Sequence, residues 1–131
     1  MEPPQFLSVD DVAALHVDTI AEEGGLGGIR DHGLLDSAVT MPRQRFAGRY
    51  LHEDLPAMAA AYLFHITRNH PFHDGNKRTG ALTAIVFLDV NHVRLTAPQR
   101  DLARAVTAVA SGEMTKDELI AWMRGCTSPR E

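Results

Sequence analysis

The sequence predicts an all-α fold, a compact bundle of about six helices, and three observations carry that expectation. Apolar residues recur at three- and four-residue spacing along most of the chain, and Pro and Gly fall singly between the periodic segments. Two stretches, Ala57 through Ile66 and Gly80 through Leu88, are apolar on nearly every side, as befits helices at the centre of a core. The 131 residues are about one domain's worth, enough to bury roughly two thirds of the surface of the unfolded chain, so residues 1–131 read as a single domain ending in a polar tail at 126–131.

Each element has its own signal. Ser8 followed by Asp11 predicts a capped helix start, after which Val9, Val12, Ala13, His16 and Ile20 share a face until Gly24 and Gly25 stop the helix. A short second helix, Leu34 to Met41, is halted by Pro42. Arg43 to Asp54 has no helical period and carries Phe46, Gly48, Tyr50 and Leu51 in rough alternation, which suggests a short surface hairpin or flap. Pro56 suits the first turn of the third helix, and the fourth runs from about Asn76 to Val90. Thr96 with Gln99 is expected to open a fifth helix, with Leu102, Ala103, Val106 and Val109 inward and Gly112 at its end. Thr115 with Glu118 opens the last, with Leu119, Ile120 and Met123 facing the core.

Composition removes several function classes. The one cysteine, Cys126, excludes a disulfide framework and a thiolate metal cluster, and a reducing, cytoplasmic setting is expected. No apolar stretch approaches the roughly 18 residues that a membrane span needs, and Met1 to Leu7 has no basic n-region, so no signal peptide is expected. With 13 basic against 17 acidic residues, a general affinity for nucleic acid is not expected either.

Reactive side chains concentrate between the two apolar helices, in His70-Pro71-Phe72-His73-Asp74-Gly75-Asn76-Lys77-Arg78. Pro71 pushes His70 out of the helical region and Asp74-Gly75 is a turn signal, so a tight loop should lead into the start of the fourth helix. The amides of Gly75, Asn76, Lys77 and Arg78 then lie at the positive end of a helix, with two formal cations beside them, which makes a phosphate site. Asp74 beside bound phosphate gains from a shared magnesium ion, so a nucleotide is favoured over an inorganic anion. His70 can act as general base toward an incoming hydroxyl, and Phe72 should anchor the loop in the core. A transition-metal site on His70, His73 and Asp74 is an alternative for the same residues. His16 and His65 read as hydrogen-bonded core histidines, with the alternative for His16 that it faces the site.

At these residues the chain resembles the Fic family, whose signature is H-x-F-x-D/E-x-N-G/K-R, and the lysine at Lys77 matches its Doc (death-on-curing) branch. The likeness extends to Leu15-His16, Gly24-Gly25-Leu26, Gly28-Ile29-Arg30-Asp31, Gly33-Leu34-Leu35 and Ala110 to Glu113. It implies an all-helical Fic fold, magnesium-dependent use of ATP, and a target protein modified on a hydroxyl. Position by position it assigns the catalytic base to His70, the buried anchor to Phe72, the magnesium ligand to Asp74, and phosphate contacts to Asn76, Lys77 and Arg78.

Two departures from the adenylylating members bear on the reaction. Those proteins have glycine at Lys77 and a second arginine where this chain has Ala81. The Doc branch is taken to bind its nucleotide reversed, with the γ-phosphate at the helix start, so the resemblance implies phosphorylation by a toxin of a toxin–antitoxin pair. Elongation factor Tu is the implied target, and a cognate antitoxin held as a helix in a groove the implied partner. The alternatives are AMP transfer and an inactive Fic fold kept as a binding module. Thr19 to Glu23-Gly24 also fits the inhibitory-helix pattern of some Fic proteins, although its position at a helix end reads more simply as a cap.

Overall fold

The computed structural model describes residues 2–130, which contain six α-helices and two small antiparallel ladders. Helix α1 (Val9–Glu23) starts on the expected capping box, with Ser8 and Asp11 each satisfying the other's backbone amide. Helix α2 (His32–Thr40) begins two residues before the predicted start because Asp31 caps it through the Leu34 amide, and a 3₁₀ turn at Met41–Arg43 follows. Helix α3 (Leu55–Asn69), capped by Asp54, and α4 (Asn76–Val90) form the centre of the bundle. Gly80 allows their close approach, since a Cβ there would lie 2.9 Å from the Thr67 hydroxyl and 3.2 Å from the Leu63 carbonyl oxygen. Tyr62, Leu63, Ile66, Ala84, Phe87 and Leu88 are almost wholly buried between the helices. Helix α6 (Lys116–Gly125) starts on the predicted Thr115/Glu118 box and adds Leu119 and Met123 to the same core.

Two expectations need correction, and a third is met. Helix α5 (Gln99–Ser111) starts from Pro98 with no side-chain cap, so Thr96 does not open it, and Ala105 is buried where Ala103 was expected. The segment expected to be a polar tail supplies strand β4 (Thr127–Pro129), which pairs with β3 (Val93–Leu95) after α4. β3 alternates over only three residues and β4, Thr-Ser-Pro, not at all, so the pairing itself defines them. The hairpin exists, as β1 (Arg45–Phe46) and β2 (Arg49–Tyr50) around a turn with positive φ at Ala47 and Gly48, but it covers no site. It stands at the start of α3, a helix that at about 1.5 Å per residue spans about 22 Å, and the reactive loop lies at the helix's other end.

Candidate active site

The loop between α3 and α4 is one wall of a cavity of about 1120 Å³. His70, His73, Asp74, Gly75, Asn76, Lys77 and Arg78 all line it, so the structure gathers every predicted polar residue of the site. His70 ends α3 in the left-handed region, at φ 54°, where its side chain leaves the helix and faces solvent. Phe72 is fully buried beneath. Gly75 caps α4, also with positive φ, which glycine adopts without strain, and α1 independently crowds the place of a side chain: a Cβ there would meet Ile20 Cδ1 at 3.3 Å. The amides of residues 75–78 find no protein acceptor among the described residues and point from the helix start into the cavity mouth. Lys77 is exposed beside them.

Asn76 has a second role beside the expected one. Its side chain is buried and makes two hydrogen bonds with one residue, accepting from the Phe72 amide at 2.9 Å and donating to the Phe72 carbonyl at 2.9 Å. It therefore fastens the loop, and only its main-chain amide is free for phosphate. Arg78 carries an ion pair to Glu23 at 3.3 Å, with both side chains about half exposed (50% and 43%). The end of α1 thus does more than cap: its last acidic residue reaches the site's second cation.

The rest of the grip on the loop comes from residues that the sequence reading quoted without assigning them work. Leu26 donates its amide to Asp74 Oδ2 at 2.6 Å, and His73 donates its amide to the Gly28 carbonyl. The Arg30 and Asp31 amides both donate to the Pro71 carbonyl, and Ile29 pairs with Phe72 as a lone β-bridge. The Arg30 guanidinium donates to the carbonyls of His70, at 2.7 Å, and Asn69, at 3.1 Å. His16, buried on α1, is within 2.7 Å of the Asp74 carbonyl and stacks on the Phe72 ring at 3.8 Å and 4°. The core-histidine reading of His16 therefore holds: it does not face the cavity, and it supports the loop from behind. The signal that could have found this strap was Gly24-Gly25-Leu26-Gly27-Gly28, far more glycine than one helix end requires.

Asp74 keeps one carboxylate oxygen without a protein partner, next to unsatisfied amides and two cations. That donor set fits magnesium, which takes one or two carboxylates and completes its shell with phosphate and water. Among the described residues no three His, Cys, Asp or Glu side chains come together, so the transition-metal alternative lacks a ligand set. The most perturbed titratable groups lie elsewhere. Burial pushes His65 down to about 4, with Lys116 and His52 adding to it, and lowers His52 and Lys116 as well, yet none of the three lines the cavity. His65 Nε2 and His52 Nδ1 have no partner, so His65 is not the hydrogen-bonded core histidine that was expected.

The opposite wall is built differently. Ala81, Leu82 and Ile85 of α4, Val93 and Leu95 of β3, and Leu102, Ala103 and Val106 of α5 line it, making an apolar groove continuous with the polar loop. The fourth helix is therefore not buried all round, and Ile85 is 39% exposed. No helix among the described residues is long and apolar enough to cross a membrane.

Fold and site together define a helical protein whose polar loop joins its two central helices, with a histidine at one end and a helix start with free amides at the other. A family model described as Fic/DOC matches residues 6–88. The chain is 38% identical over 124 residues to a protein named Toxin Doc from Mycolicibacterium smegmatis, covering 92% of each. It is 31% identical over 120 residues to Protein kinase doc of Escherichia phage P1, covering 92% of this chain and 94% of that one. The chain belongs to the Fic/Doc family, in its Doc branch.

Proposed function

We propose that this protein is a Doc-like toxin that transfers the γ-phosphate of ATP to a Ser or Thr hydroxyl of a target protein. The observation that carries the reading is the start of α4, where free amides of residues 75–78 and the exposed Lys77 face the cavity while Ala81 leaves the place of a second arginine apolar. AMP transfer would need the β- and γ-phosphates held beyond that point, and no cation of α4 stands there to hold them. With the nucleotide reversed, the γ-phosphate meets the amides, and Lys77 and Arg78 stabilise charge on the transferring group. A magnesium ion on Asp74 would neutralise phosphate charge. His70 takes the proton from the attacking hydroxyl, a bond forms between that oxygen and the γ-phosphorus, the bond to the β-phosphate oxygen breaks, and ADP departs. The names of both relatives, toxin and protein kinase, support the reading.

The apolar groove gives the control of such a toxin a place. At about 1120 Å³ the cavity exceeds the roughly 300–1,000 Å³ of ordinary small-ligand pockets, and its bare apolar wall suits an antitoxin segment folding as a helix beside the site. The decisive experiment incubates the chain and magnesium with elongation factor Tu, the target that the family resemblance supplies, and with ATP labelled at either phosphate. Uptake of the γ label with a mass gain of one phosphate is expected. Uptake of the α label would establish adenylylation instead, and uptake of neither by any protein of a cell extract would favour the inactive binding module.

A further inference from the structure

The structure assigns to His16 the part of a positioning residue for the nucleotide site, an inference that rests on the function proposed above. Asp74 is exposed and sits in a loop, so nothing in its own side chain fixes where its carboxylate points. Two contacts do. The Leu26 amide takes Oδ2, and the His16 ring takes the backbone carbonyl of the same residue. Because that partner is a carbonyl, His16 must carry its proton on Nε2. The ring is stacked face to face on Phe72 and buried to 3% exposure, so the donor cannot swing away. One side chain on α1 thereby ties the buried anchor of the loop to its acidic residue, two positions on. His16 touches no part of the cavity and acts through Asp74. Arg30 does the equivalent for the other end of the loop, holding the carbonyls of Asn69 and His70.

The test compares wild type, H16F and H16Q by thermal melting and by calorimetric titration with ATP, with magnesium and with a chelator. Phenylalanine keeps the stack on Phe72 and removes the donor; glutamine offers an amide N–H near the place of Nε2. The inference expects H16F to melt as a folded protein and to keep its magnesium-free affinity for ATP, which depends on the amides and Lys77. The affinity gained on adding magnesium should fall by about 10- to 100-fold, the usual effect of losing a group that orients a metal ligand. In H16Q most of that gain should return. If H16F retains the full magnesium effect, or if its affinities with and without magnesium drop together, His16 is not positioning Asp74. If H16F does not fold, H16Q decides alone: a folded H16Q that lacks the magnesium effect overturns the inference. A wild type that binds ATP equally with and without magnesium would instead overturn the role given to Asp74.

Discussion

Where the cavity meets residues 70–78, backbone and side chains are tied from behind by His16, Leu26, Gly28, Arg30 and Asp31, and from within by Asn76. Across the cavity, Ile85, Leu95 and Ala103 face the same space with apolar surface, alongside Asp89, Arg94 and Gln99. The two walls have opposite allotments of freedom. A group that must transfer a proton or hold a phosphate has to be within a fraction of an ångström of its place, and hydrogen bonds to the main chain achieve that. A surface that must accept another chain gains from apolar area that nothing inside the protein has yet covered. The function proposed above puts chemistry on the constrained wall and recognition on the unconstrained one.

This division can be broken by experiment, beginning with the largest effect. Replacing His70 with alanine should lower transfer by roughly 10²- to 10⁴-fold, the usual contribution of a general base, while ATP binding by calorimetry stays near that of wild type. Transfer at the wild-type rate would mean that the constrained wall holds no base at position 70. On the other wall, Ile85→Glu places a charge in the groove and should weaken an antitoxin helix by about 10- to 100-fold, as the loss of a central apolar contact does, with label transfer reduced less than about threefold. If transfer falls as far as antitoxin binding, the apolar wall serves the nucleotide and the division fails. The smallest effect belongs to Glu23, whose ion pair with Arg78 is about half exposed on both sides. Such pairs contribute about 1 kcal/mol or less, so Glu23→Gln should raise ATP affinity by about two- to fivefold, read by titration. No change would show that Arg78 is equally available in either state.

What the sequence disclosed follows the same division. The constrained loop was legible because its residue types are chemically distinctive and contiguous, and because Pro71 and Gly75 announce the backbone they need. The helices of the core were legible from their period, and α4 was predicted within its observed bounds. The strap around the loop was hinted at only by the glycine run at 24–28, since its bonds run through backbone groups of Leu26, Gly28, Arg30 and Asp31, and residue identity does not show which partner a main-chain group takes. The side chain of Asn76 was no more legible: nothing in an asparagine at a helix start shows that its partner is the Phe72 main chain, four residues away. Burial of α4 was overestimated because hydrophobicity cannot distinguish a face packed on a neighbouring helix from one lining a groove.

The left-handed conformation of His70 has an evolutionary consequence. A residue with a Cβ at φ 54° resists that backbone by about 1 kcal/mol, and asparagine or glycine accepts it more readily. Folding and catalysis therefore rank the candidates for position 70 differently. Selection for heat resistance alone would drift toward the two residues that relax the turn, and every step of that drift would discard the proposed proton acceptor. On that proposal, a histidine kept there is held by its use, against the preference of its own main chain.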